Sequence, residues 1–263
     1  MTRKPFMTTT WSNLAMLNYE VDPTVLRPYV PVDTELDEFQ GRHFASVVGF
    51  LFSDTKIFGM GMPGYRQFCE VNLRFYVRHR AADGWRRGVV FIKEVVARRA
   101  VAWMARTMYD EHFERHPMRF RLEPSRVGLI PARVEYAWQN GSDWNELKLI
   151  TCGPTAVPEP GSEAEFITEH YWGYTARRDG STSEYHVEHP PWRVTTAARM
   201  SFQCDIGAMY GKEFIEALSG EPSSAFLAEG SPVVVYRGYR LNHLGLHKVV
   251  DESRVPSSAT GNA

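Results

Sequence analysis

Four polar side chains at alternate positions, Glu70, Asn72, Arg74 and Tyr76, carry the strongest chemical signal in this chain of 263 residues. They sit in Gln67–Arg78, where Cys69, Val71, Leu73, Phe75 and Val77 fill the positions between them. Residues two apart on a β-strand share a face, so the segment reads as a strand with one apolar and one polar side. Two placements fit that pattern. Turned to solvent, the stripe is the outer face of a half-exposed sheet. Turned inward, it gives a pocket a carboxylate, an amide, a guanidinium and a phenol. In the second case Arg74 would grip an anion in its fork and Glu70 would serve as acid or base.

Lysine is scarce, and Lys93 shares a strand face with Val89, Phe91 and Val95 while Glu94 falls on the opposite face. Desolvation in such surroundings favours the neutral amine that forms a Schiff base. An edge-strand gatekeeper with its stem laid over apolar surface is the commoner role for such a lysine. His186 shares a strand face with Glu188, whereas His189 falls in the turn before Pro190-Pro191-Trp192; lining a pocket and ordinary turn chemistry fit the pair equally, and His186 is the candidate pocket residue. His112 and His116 stand four apart, without the H-E-x-x-H pattern, and fit the capping of a helix end better than a metal site. No metal and no cofactor are expected.

The elements that must hold these residues are mostly strands. Besides Gln67–Arg78, strand patterns run over 44–52, 88–96, 129–138, 144–151, 171–177, 184–188, 195–202 and 233–241, with Gly and Pro between them. Many short strands at close spacing predict an antiparallel sheet or barrel, and the β-α-β rhythm of a nucleotide fold is absent. Helices are predicted over Ala100–Phe113, with Tyr109 on its apolar stripe, and from an Asp205 cap to Gly220. Shorter ones open at Asp22-Pro23 and span Ser162–His170. One domain over 1–250 with a flexible tail over 251–263 is the expected organisation.

Lysine plus arginine number 30 against 31 aspartate plus glutamate, a net charge of -1. That balance excludes a generally basic nucleic-acid binder. No run approaches the roughly 18–20 apolar residues that cross a bilayer, so no membrane anchor is expected. Cys69, Cys152 and Cys204 are too few and too scattered for a disulfide framework. The N-terminus lacks an apolar signal region, and a cytoplasmic location follows as the expectation. A homodimer is the default expectation for such a chain.

Several segments together resemble a known family: Lys4-Pro5-Phe6 through Thr10-Trp11-Ser12-Asn13-Leu14, Leu26-Arg27-Pro28-Tyr29-Val30-Pro31, Phe68–Val77 and His189-Pro190-Pro191-Trp192. They are similar to the YqjF family, bacterial proteins of uncharacterised function, and through it to the acetoacetate decarboxylase fold. The resemblance implies a β-rich α+β architecture, an antiparallel β-barrel or β-cone with a few peripheral helices. In acetoacetate decarboxylase a Schiff-base lysine follows a Gly-Arg-Glu, Trp-Gly-x-Pro-Lys pattern. The local counterpart here runs from Ala105 to Tyr109 and on to Pro117-Met118, with Arg106 matching the motif's arginine. No lysine occurs between Lys93 and Lys148.

The nucleophile is thus missing from its expected place, and three readings remain. The first keeps an internal pocket that binds a small carboxylate or carbonyl compound through Arg74 or Arg106, with Asn72, Tyr76, Tyr109 and His186 around it. The second is a lyase in which Lys93 supplies the amine and Glu70 the proton. The third is a structural or interaction protein whose barrel is filled by side chains.

Overall fold

The computed structural model describes residues 5–61, 67–97, 113–124 and 131–241. Over these residues fifteen strands join in one sheet. They are β1 (Pro5–Glu20), β2 (Glu35–Leu36), β3 (Phe44–Ile57), β4 (Met60–Gly61), β5 (Gln67–Ala81), β6 (Gly84–Val96), β7 (Phe113–Arg115) and β8 (Met118–Glu123). The second half adds β9 (Arg133–Asn140), β10 (Asp143–Thr151), β11 (Trp172–Ala176), β12 (Thr182–Glu188), β13 (Val194–Gln203), β14 (Ser224–Tyr236) and β15 (Tyr239–Arg240). Short helices α1 (Pro23–Leu26), α2 (Glu163–Thr168), α3 (Ile206–Tyr210) and α4 (Ile215–Ser219) accompany them.

The main strand order is β15-β12-β11-β6-β5-β3-β1-β14-β13-β10-β9-β8, and β12 also pairs β14. The sheet therefore curls until β1, β3, β5, β6, β11, β12 and β14 form a ring. Its seam is short, two residue pairs, Val187↔Val235 and Glu188↔Val234. The expected barrel is thus a curled sheet, and β13, β10, β9 and β8 continue from β14 as a wing. Neighbours are mostly antiparallel, but β11 and β7 each run parallel to β6.

Each long strand of the ring separates two cores. On one side Leu73, Phe75 and Val90 pack against Tyr136, Trp138 and Leu147 of the wing and against Met209 and Phe214. On the other, within the ring, Leu14, Met16, Val48, Phe50, Tyr76 and Val89 pack with Phe166 and Trp192. Alternation along β5 follows from this division, since its odd positions serve the first core and its even positions face the ring's interior.

Strand β6 breaks its own alternation. Opposite β5, the pairing passes from Leu73↔Lys93 to Arg74↔Phe91, leaving Ile92 as an extra residue. Such a bulge adds one residue to one strand, so the sides occupied before and after it are exchanged. Val89 and Phe91 face the ring's interior, and beyond the bulge Glu94 and Val96 take that side.

Other expectations need correction. The 16-residue β1 is not predicted by alternation, because Leu14 to Tyr19 are buried on both faces and Asn13 turns the chain at φ 54. The helix expected from Asp205 to Gly220 is divided in two at Gly211, whose φ is 112. Its predicted cap is present, with Asp205 Oδ1 accepting from the Ala208 amide at 3.0 Å. The helix expected over Ala100–Phe113 falls on residues outside the described ones, except that Phe113 itself opens β7. His116 follows that short strand, with Nε2 3.1 Å from Glu114. The predicted tail, 251–263, also lies outside the described residues.

Candidate functional site

The ring encloses a cavity of about 120 Å³ lined by residues from all seven of its strands. Most of its wall is aromatic. Phe52 lies flat on Phe68 with centroids 4.7 Å apart, and Trp11 meets Phe50 edge-on at 5.4 Å. Phe6, Phe91, Trp172 and Trp192 complete the apolar surface.

Into this wall β5 sets its polar stripe. Glu70 stands between Phe50 of β3 and Val96 of β6, Asn72 between Val48 and Glu94, and Arg74 between Ser46 and Phe91. Relative exposures of 3%, 2% and 8% show that Glu70, Asn72 and Arg74 are interior groups. The amide of Asn72 donates from Nδ2 to Glu70 Oε1 at 2.9 Å. Burial pushes the Glu70 carboxyl up to about 7, against the opposing pull of the Asn72 hydrogen bond and the Arg74 charge.

Arg74 is held loosely for a buried cation. Among the described residues it makes no ion pair, its Nη2 touches only the Met16 thioether at 4.0 Å, and its Nε has no partner. Its guanidinium carbon lies 5.8 Å from the Tyr76 ring. Burying a guanidinium without a directly paired carboxylate is costly, and the longer-range attraction of Glu70 offsets part of that cost.

Two histidines face the same cavity. His189 donates from Nδ1 to the Pro190 carbonyl at 2.9 Å and lies on Trp192, with centroids 4.1 Å apart. His170 follows α2, stacks at 4.6 Å on Tyr76, and has Nε2 3.4 Å from Asp37 Oδ2. Its Nδ1 is buried without a partner among the described residues. Burial lowers both imidazoles to about 4, opposed at His189 by the Pro190 hydrogen bond and at His170 by Asp37. Both rings are therefore neutral at pH 7. Burial would raise Asp37, yet hydrogen bonds from His170 and from Arg87, at 2.6 Å, bring it down to about 2.

The inward placement of the stripe is thus the one found, and Glu70, Asn72 and Arg74 meet in one cavity. Tyr76 lies just behind it, donating its hydroxyl to Ser46 Oγ at 2.6 Å while Ser46 donates to Asn18 at 2.6 Å. Lys93 is displaced from its expected place. The Ile92 bulge turns it away from the cavity, to Glu114 Oε1 at 2.9 Å, and brings Glu94 in. His186 also faces away, packing on Trp172 at 4.6 Å and Tyr236 at 5.4 Å. Arg106 and Tyr109 lie outside the described residues. The sequence reading missed Glu94 and His170 as cavity residues and chose His186 where the cavity holds His189. For His189 a signal existed, since His189-Pro190-Pro191-Trp192 is one of the segments that carry the family resemblance.

Residues 8–232 match the family DUF2071, described as "Uncharacterized conserved protein (COG2071)". The chain is 25% identical over 195 residues to the uncharacterized protein YqjF of Bacillus subtilis (strain 168), covering 73% of this chain and 76% of that one. Among solved structures it is similar to acetoacetate decarboxylase from Legionella pneumophila, with a TM-score of 0.63 at 13% identity. That match covers 91% of this chain and 88% of the other. The enduracididine biosynthesis enzyme MppR, complexed with pyruvate, gives a TM-score of 0.61 at 13% identity over 92% of each chain. At these identities the likeness is one of fold.

Proposed function

The chain belongs to the DUF2071 family of uncharacterized conserved proteins, and we propose that its cavity binds a small carboxylate with an apolar body. The observation that carries this reading is Arg74, a buried guanidinium that lines an aromatic cavity and has no ion-pair partner among the described residues. An anion there gains a charge-assisted, two-pronged contact in a low dielectric, where such contacts are strong. The surrounding rings favour an apolar remainder.

Size narrows the class. A dry cavity of roughly 150 Å³ accommodates benzene, so about 120 Å³ suits a ligand of similar bulk. Pyruvate, seen in one structural neighbour, is a carboxylate that also carries a carbonyl, and short oxo acids fit the same description. The filled-barrel reading is disfavoured by the cavity itself. The amine reading is disfavoured by Lys93, which is engaged with Glu114 on the far side of β6.

Titration calorimetry with a panel of short 2-oxo acids, branched aliphatic acids and benzoate tests the proposal, each paired with its neutral amide. The expected result is binding of at least one acid with its amide much weaker. Arg74→Met should weaken that binding by about 30-fold or more, since truncating a buried charge partner costs about 2–5 kcal/mol. Equal affinity for acid and amide, or an unaltered Arg74→Met, would sink the carboxylate reading.

A further inference from the structure

Four observations at this cavity remain unused by simple binding. Glu70 commits only one oxygen, Oε1, to Asn72, and its other oxygen has no hydrogen-bond partner among the described residues. The carboxyl and Arg74 lie on the same face of one strand, two alternations apart and close enough to interact electrostatically. Trp11 lines the same cavity, and its indole Nε1–H is buried without a partner among the described residues. Among the described residues the lining holds no lysine.

The geometry points to an activity: we propose that the cavity catalyses proton exchange at the carbon next to the carbonyl of a short 2-oxo acid, with Glu70 as the base. The proposal rests on the carboxylate reading above and deepens it.

A 2-oxo acid fits because its carboxylate and carbonyl oxygens are neighbours and together span a guanidinium fork. With these oxygens on Arg74, the apolar chain extends from C3 over the aromatic wall toward Glu70. In the step itself, the C3–H bond breaks and its proton passes to the free Glu70 oxygen. The electron pair of that bond forms a C2–C3 double bond, and the carbonyl π pair moves onto the C2 oxygen. The charge developing there is met by Arg74, and the unpartnered indole N–H of Trp11 is a second donor within the cavity. Return of a proton to C3 restores the oxo acid, so no oxidant, reductant or co-reactant is consumed. A Glu70 held near neutral pKa by its burial suits both directions. Because no lysine takes part, the electron sink is the carbonyl itself and not an iminium.

The experiment is one-dimensional proton NMR of 2-oxobutyrate and 3-methyl-2-oxobutyrate in D2O, following loss of the C3–H signals with and without the protein. Binding of the same probes is measured in parallel by calorimetry. Exchange about 100-fold faster than in buffer is expected, within the usual range for a positioned acid–base group. Glu70→Gln should bring the rate back to the buffer value while the probe affinity stays within about threefold. Lys93→Met should exchange as the wild type does.

Bound probe with no acceleration overturns the activity and leaves the carboxylate reading intact. So does full exchange in Glu70→Gln, or exchange lost in Lys93→Met together with a borohydride-trapped adduct. Failure of every acid in the wider panel to bind overturns the carboxylate reading, and this proposal with it.

Discussion

Glu70 is a carboxyl kept in an apolar wall, and the energetic consequence is a pH dependence of known sign. Its pKa is raised from an ordinary 4.5 to about 7 in the fold. Between those values the folded chain holds a proton that the unfolded chain has released. The stabilising contribution is therefore complete below pH 4.5 and is lost as pH rises through 7. A change of that size corresponds to about 3 kcal/mol at about 1.4 kcal/mol per pKa unit. Urea denaturation of wild type and Glu70→Gln from pH 4.5 to 8 should show the variant gaining on the wild type by this order, with the gain levelling off above pH 7. A constant difference between the two proteins would contradict the raised carboxyl. His170 and His189 act in the opposite direction, because their pKa values are depressed to about 4. Their contribution is present above pH 6.5 and is lost as pH falls through 4, equally in both proteins, so it cancels in the comparison.

At the scale of the element, one extra residue in β6 decides which side chain reaches the cavity. Unbroken alternation from Val89 and Phe91 places Lys93 in the cavity. The extra Ile92 places Glu94 there instead and sends Lys93 to the opposite core, beside Glu114. Nothing in Val89–Val96 marks the bulge, for it has no glycine or proline and most of its residues are β-branched or aromatic. Lys93→Met should therefore leave carboxylate binding unaltered. It should shift stability by no more than about 1 kcal/mol, the usual value of an ion pair with a half-exposed partner. Calorimetry and urea melts of this variant check both statements, and a loss of binding would place Lys93 back in the site. The stripe on β5 was legible from sequence because that strand keeps its period through the site. The face of Lys93 was not, because register across a bulge is set by the partner strand.

For the whole molecule, the ring and the wing must approach closely enough to fill the core between them. Tyr136 of β9 lies across β3 at Gly49, where a Cβ would sit 2.6 Å from Tyr136 Cδ2. The tyrosine has little freedom to yield, being buried and donating its hydroxyl to the Asn13 carbonyl at 2.7 Å. Gly49→Ala should destabilise the protein by about 1–3 kcal/mol, the cost of overpacking a filled core. Gly61→Ala, whose Cβ meets nothing within 4 Å, should stay within about 0.5 kcal/mol. Equal melting temperatures for the two variants would show that ring and wing can separate at this point. His170 belongs to this scale as well. It enters the cavity from beyond α2, and Asp37, far away in sequence, holds it there.

The sequence by itself determined the strand-rich class, the two-faced character of β5 and the set Glu70, Asn72 and Arg74, because each depends on a local period of two. It also carried the family through segments spread along the chain. Only the tertiary structure decided that the polar face turns inward, since alternation is the same on either side of a sheet and only the curl distinguishes inside from outside. Tertiary pairing likewise exchanged Lys93 for Glu94, put His189 in place of His186, and brought His170 to Tyr76. Those outcomes follow from strand register and ring closure, which are fixed by contacts between residues distant in the chain.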